Sequence, residues 1–220
     1  MQRGHKYRCI LQRGMQRESC RCIKTLSALL YKQSEDFMKY EIVHLPKDKW
    51  EGFIVPISYT SDRYYDVRVN KEDNGFNIDI KKKNFDVPYV FTPQNCDYPD
   101  KLYQKYWENA CASGILVNNE LVAVIETDQE LWSNRLRITE LWVHEDYQKM
   151  GLGHALIEKA KQQARNEKRR AIILETQSCN VNAVDFYMHE GFTLIGFDSC
   201  CYSNNDLCRK EVRLEFGWFL

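Results

Sequence analysis

Gln148-Lys149-Met150-Gly151-Leu152-Gly153 opens a stretch that runs through His154 to Ala164 without another Gly or Pro and reads as an amphipathic helix. First-turn amides have no intrahelical acceptor, the helix dipole adds partial positive charge, and glycine lets the backbone approach an anion closely. The chemistry implied is phosphate or pyrophosphate binding. A Walker A loop needs Lys-Ser or Lys-Thr after its last glycine, and none follows Gly153. A dinucleotide fingerprint needs a third glycine where Leu156 stands.

Carboxylates supply the other chemistry. Glu175 ends the apolar run "AIIL", where a buried unpaired carboxylate would be costly, so it belongs at an open strand end or in a polar site. Desolvated there, it would gain a raised pKa suited to proton transfer. Glu140, in "RITELWV", is its rival. Either could instead be a strand-end carboxylate paired with Arg137 or a lysine. Tyr59, Asp62, Tyr64, Tyr65 and Asp66 fall within eight residues, a set that could hold a cationic amine or simply form a loop.

The elements that must position these groups have a mixed order. "EIVHL" (41–45) predicts a strand, "PDKLYQKYWENACASG" (99–114) a helix ended by glycine, and 50–98 between them a loop-rich region. "GILVNNELVAVIET" (114–127) reads as two strands around an Asn118-Asn119 turn, and "RLRITELWV" (135–143) as an alternating strand. In the helix after the glycines, Leu152, Leu156, Ala160 and Ala164 make a core-facing stripe. "AIILET" suits a buried central strand, "NVNAVDFYMHEGF" (180–192) a helix stopped by Gly191, and "TLIGFDSCCY" and "EVRLEFGWFL" two final strands. Such alternation is an α/β pattern.

A chain of 220 residues that is 44% hydrophobic can bury a core. Its apolar runs are far shorter than the roughly 20 residues of a membrane span. The start lacks an apolar segment with a cleavage site, so no membrane partner and a cytoplasmic location are expected. Residues 1–37 carry eight Lys/Arg against three Asp/Glu, leaving 23 against 28 for the remainder. This leader has no recognisable nucleic-acid motif, so no nucleic-acid partner is expected. It reads as a poorly ordered basic extension, with Met38 as an alternative biological start. The nine cysteines lack the paired spacing of a zinc site, so reduced, mostly buried thiols and no metal are expected.

Gln148 to Gly153 matches Q/R-x-x-G-x-G/A, and Asn182-Ala183, Phe186-Tyr187 and Gly191-Phe192 approach N-x-x-A-x-x-F-Y-x-x-x-G-F about 30 residues later. With these motifs the chain resembles the GNAT superfamily of acetyl-CoA-dependent N-acetyltransferases. The stretch "LETQSCNVNAVDFYMHEGFTLIGFDSCCY" is similar to the streptothricin acetyltransferases, a likeness covering roughly the last 90 residues. The resemblance implies a GNAT-type, mostly antiparallel central sheet flanked by helices. It also implies one acetyl-CoA-dependent domain over 38–220.

In that family, the strand holding Leu141, Trp142 and Val143 splays from the next, and its free edge bonds the pantetheine arm. The amides of Gln148, Lys149, Met150, Gly151, Leu152, Gly153 and His154 would hold the pyrophosphate; the His154 side chain reads as a surface group. Asn182 would either reach the pantetheine or cap its helix. Tyr187, beside the thioester sulfur, would protonate the departing thiolate. Glu175, twelve residues before it, would be the base, with Glu140 as the rival. The substrate expected is a small cationic amine of the streptothricin type, and a homodimer is compatible with the reading. A protein N-terminal or lysine acetyltransferase and a non-catalytic acyl-CoA-binding module are the alternatives.

Overall fold

The computed structural model describes residues 40–95 and 99–220; the basic extension expected at 1–37 and the Met38 start lie outside them. Short β1 (Ile42–Leu45) and α1 (Lys47–Trp50) lead into β2 (Tyr59–Glu72) and β3 (Gly75–Phe91). Next come β4 (Cys111–Val117), β5 (Glu120–Glu130) and β6 (Arg135–Val143). The chain ends with α2 (Leu152–Asn166), β7 (Ala171–Gln177), α3 (Val181–His189), β8 (Thr193–Asp198), α4 (Asp206–Arg209) and β9 (Arg213–Phe219).

Seven strands form one sheet in the order β1-β4-β5-β6-β7-β9-β8. Every pairing is antiparallel except β6 with β7, the one step that needs a crossover, which α2 supplies. This is the mixed, mostly antiparallel α/β architecture expected. At the β4–β5 turn, Asn118 and Asn119 both take positive φ, 51° and 69°, as a type I′ hairpin requires. Helix α2 packs on β5, β6 and β7 through Leu152, Leu156, Ala160 and Ala164, each at most 1% exposed. The burial of each leucine there stabilises the fold by about 2 kcal/mol. Ala171 to Leu174 of β7 are buried, as a central strand demands.

Two expectations fail. The region read as loop-rich, 50–98, contains a two-stranded sheet, β2 paired with β3 from Tyr59↔Phe91 to Glu72↔Gly75, with a bulge between Ser61 and Arg63. Its strands are largely exposed and polar on both faces, so apolar alternation is faint, and Pro88 inside β3 argues against a strand. The hairpin is tied to the rest of the domain: Tyr65 N–H donates to Ser178 O, and Tyr65 Oη and Lys82 Nζ both donate to Asp185 on α3, each at 2.8 Å.

The helix expected over 99–114 is also absent. The segment is a run of turns leading into β4. Buried carboxylates bind its amides: Glu126 accepts from Tyr103 N–H at 2.6 Å and Asp128 from Asn109 N–H at 2.8 Å. These bonds, with Tyr103 at φ 57°, displace the helical ladder. Leu102 and Tyr103 are buried with Leu45, Val55, Ala112 and Val124. Gly114 lies within β4, where a Cβ would come within 2.5 Å of Leu121, so it serves close packing and not a helix end.

Candidate active site

Strands β6 and β7 pair only over Arg135–Arg137 with Ala171–Ile173. Beyond that they part, while β6 stays paired to β5 as far as Val143 and β7 to β9 as far as Gln177. The edge of Ile138–Val143 facing β7 therefore lacks a strand partner, the geometry for accepting an extended ligand as an added strand. Leu141 lines the opening. Trp142 packs toward the core beside Leu45 and Leu102, so the contribution of this strand at the opening is mainly backbone.

At the end of β6 the chain turns through Gln148, whose side-chain amide donates to Val143 O at 3.3 Å, and reaches α2. Lys149 and Gly151 take positive φ, 61° and 84°. The amides of Lys149, Met150, Gly151, Leu152, Gly153 and His154 have no hydrogen-bond acceptor among the described residues. That cluster of free donors at a helix start has the chemistry of a pyrophosphate cradle. Glycine is needed for different reasons at its two positions. Gly151 takes the left-handed backbone, whereas a Cβ on Gly153 would stand 3.1 Å from the Phe186 ring. Gly153 thus lets α2 seat against α3.

A cavity of about 570 Å³ occupies the parting of β6 and β7. Its walls bring together Glu140, Glu175 and Tyr187, three expected site residues on three elements, with Asp100, Tyr59 and Tyr202. Glu140 is 6% exposed, and its carboxylate has no hydrogen bond or ion pair among the described residues. Arg137, considered as its partner, bonds Glu130 instead at 2.7 Å. Burial, reinforced by the charges of Asp100, Glu126 and Glu175, holds the Glu140 carboxyl well above the usual carboxylate range. Glu175 is the more exposed of the two rivals and is tied to Arg213 at 2.8 Å and to the Tyr202 hydroxyl at 3.2 Å. Of the two rival carboxylates, Glu140 is thus the desolvated one and Glu175 the exposed, ion-paired one.

Tyr187 is 7% exposed, set among Phe186, Phe192 and Phe216. Its hydroxyl has no hydrogen-bond partner among the described residues. Burial and then the nearby Glu140 and Glu175 raise its pKa, so it remains a phenol able to give up a proton.

Asn182 is exposed, and the α3 cap is Asn180, whose side chain accepts from Ala183 N–H at 3.2 Å. The His154 side chain is 63% exposed, as a surface group should be, and bonds Glu190 at 2.9 Å. His154, Glu158 and Glu190 could present metal-ligand atoms within 4.8 Å of one another. Lys161 already supplies a cation there, donating to Glu158 at 2.8 Å and to the main chain of Glu190 at 2.9 Å.

Of the Tyr/Asp cluster on β2, only Tyr59 reaches the cavity. Asp66 is taken by Lys83 at 2.6 Å and Arg68 at 2.7 Å. Asp100, which lines the cavity, went unnoticed because it sits at the head of the expected helix. The thiols also differ from expectation: Cys111, Cys200, Cys201 and Cys208 are exposed and Cys179 alone of the five described cysteines is buried. Three of the exposed four fall between β8 and β9, away from the main core.

An open parallel strand pair followed by a free-amide helix start is the arrangement that the resemblance to the GNAT acetyltransferases implies. Residues 82–192, just over half the chain, match the acetyltransferase (GNAT) family, and the chain belongs to that family. It is 33% identical over 112 residues to streptothricin acetyltransferase of Escherichia coli, covering 51% of this chain and 64% of the relative. With streptothricin acetyltransferase A of Bacillus subtilis (strain 168), identity is 31% over 99 residues, 45% of this chain and 51% of the relative. The matched region therefore spans less than two thirds of either relative. Among solved structures, nourseothricin acetyltransferase superposes with a TM-score of 0.63 at 20% identity, over 83% of this chain and 99% of that one. A candidate streptothricin acetyltransferase from Bacillus anthracis, solved with acetyl coenzyme A, gives 0.63 at 24%, over 84% and 99%. These two show the shared fold. No helix among the described residues is long and apolar enough to cross a membrane.

Proposed function

We propose that this chain, acting as one domain from residue 38 onward, transfers acetyl from acetyl-CoA to a primary amine of a small cationic substrate, with a streptothricin-type compound the named candidate. The observation that carries the reading is Glu140: a buried, unpaired carboxylate in an acidic cavity where β6 and β7 part. The names of the two curated relatives support the choice of substrate.

The amides of Lys149 to His154 hold the pyrophosphate, and the free edge at Leu141–Val143 holds the pantetheine arm. Acetyl-CoA supplies an acyl group activated as a thioester. An alkylammonium near pKa 10.4 must lose a proton before it can attack. Glu140 takes that proton, either directly or through one water. As the new C–N bond forms and the C–S bond breaks, Tyr187 gives its phenolic proton to the departing sulfur; the second amine proton leaves to solvent and Tyr187 is reprotonated. Glu175, held by Arg213 and Tyr202, forms part of the cavity wall beside Glu140.

The test is free-thiol release from acetyl-CoA with a panel of amines that includes streptothricin, a peptide with a free α-amine and a peptide lysine. Turnover of streptothricin is the expected result. Preference for either peptide would move the assignment to protein acetylation, and tight acetyl-CoA binding without any turnover would make the chain a binding module.

A further inference from the structure

Four carboxylates line the cavity: Asp100, Glu140, Glu175 and Glu211. Two carry their own cations, Glu175 paired with Arg213 at 2.8 Å and Glu211 with Arg209 at 2.8 Å. Asp100 and Glu140 have no hydrogen bond or ion pair to their carboxylates among the described residues. Glu140 is buried and Asp100 half-buried, and two neighbouring carboxylates removed from water without cations are costly; the cavity wall leaves both of them facing the same space. A single ammonium would answer one of them. Two positive charges would answer both.

The backbone holds Asp100 firmly at this position. Its carbonyl accepts from Val55 N–H at 3.0 Å, its neighbour Lys101 forms a bridge with Ile54, and Leu102 N–H donates to Phe53 O at 3.0 Å. Leu102 is fully buried just beyond it. The backbone that carries Asp100 is therefore fixed at the wall of the cavity that Glu140 and Glu175 also line.

We propose that Asp100 is a specificity-determining residue that binds a second ammonium group of the substrate, so that the site selects amines carrying at least two positive charges. The proposal rests on the acetyltransferase reading given above. One ammonium lies at Glu140 and is acetylated; the other is held by Asp100 and remains protonated. Because the Asp100 contact is the same before and during acetyl transfer, it acts on KM and leaves kcat largely alone.

The test compares 1,5-diaminopentane with pentylamine at saturating acetyl-CoA, by free-thiol release, in the wild type, Asp100→Asn and Asp100→Glu. The wild type should favour the diamine in kcat/KM by about 30-fold or more, the usual effect of one buried charge pair. Asp100→Asn should erase that preference through the KM of the diamine, since any change it makes through the Glu140 carboxyl falls on both amines alike, and Asp100→Glu should restore part of it. An equal loss on both amines, or an unchanged ratio, overturns the proposal. Should neither amine be acetylated, the acetyltransferase reading fails for them, and calorimetric binding of 1,5-diaminopentane still decides the role of Asp100. Weaker binding by about 30-fold in Asp100→Asn supports it, and equal binding overturns it. Asp100→Ser serves as a second neutral variant if the asparagine protein does not fold.

Discussion

Replacing Asp100 by asparagine should stabilise the ligand-free protein in a way that depends on pH. Burial, and then the charge of Glu175, raise the Asp100 carboxyl from 3.8 to about 6. Its folded-state pKa thus lies above its unfolded one, so folding is favoured by the proton. That contribution is fully present below about pH 3.8 and is lost as pH rises through about 6. At about 1.4 kcal/mol per pH unit, the gap is worth about 3 kcal/mol, and water in the open cavity reduces this to about 1–2 kcal/mol. Asparagine has nearly the same shape and cannot ionise, so it escapes the loss. Urea and thermal unfolding of wild type and Asp100→Asn from pH 4 to 8.5 would measure this. Relative to its position at pH 4, the variant should gain about 2–8 °C in Tm by pH 8. Any packing or polar cost of the amide shifts the variant by the same amount at every pH, so only the change with pH is diagnostic. A difference that stays constant from pH 4 to 8, or that changes in the opposite direction, would refute the placement of an unpaired, half-buried carboxylate at Asp100.

Three further outcomes are expected. Glu140→Gln should lower kcat by about 10²- to 10⁴-fold, and should abolish a rising limb of the kcat/KM profile that lies above the ordinary carboxylate range; a variant with wild-type kcat would remove Glu140 as the base. Tyr187→Phe should cost about 10-fold or more in kcat with acetyl-CoA affinity retained, read by single-turnover thiol release, and unchanged turnover would leave the thiolate to be protonated by another donor. Gly153→Val should lower stability by about 1–3 kcal/mol in urea unfolding, since its side chain meets Phe186. The double variant with Phe186→Leu should recover part of that loss, and no recovery would mean the strain lies elsewhere.

Much of the sheet was legible because burial on one or both faces leaves a strong periodic mark. Ala171–Leu174, buried throughout, and the alternating Arg135–Val143 are of this kind. The free-amide loop was legible for another reason, since Gln148 to Gly153 combines a left-handed turn with a close helix contact, and few residue types satisfy both. The β2–β3 hairpin was hidden because sheet pairing there is made by backbone on a mostly solvated ribbon. The 99–110 segment misled because Leu102, Tyr103, Tyr106 and Trp107 are spaced like a helix face. Nothing local indicates that Glu126 and Asp128, more than twenty residues further on than Leu102, claim its amides. Choosing between Glu140 and Glu175 likewise depends on Arg213, a partner nearly forty residues from Glu175 in the chain.

The hairpin has a consequence for how such a protein can change. Tyr59 and Tyr89 on it form one side of the cavity, while Glu140, Tyr187 and the free amides belong to the seven-stranded sheet and its helices. One wall of the cavity is therefore carried on a stretch of chain separable from Glu140, Tyr187 and Asp100. Under the proposed activity, exchanges along 59–91 would reshape that wall while Glu140, Tyr187 and the free amides stay in place, which makes the ribbon a target for directed evolution toward new amines.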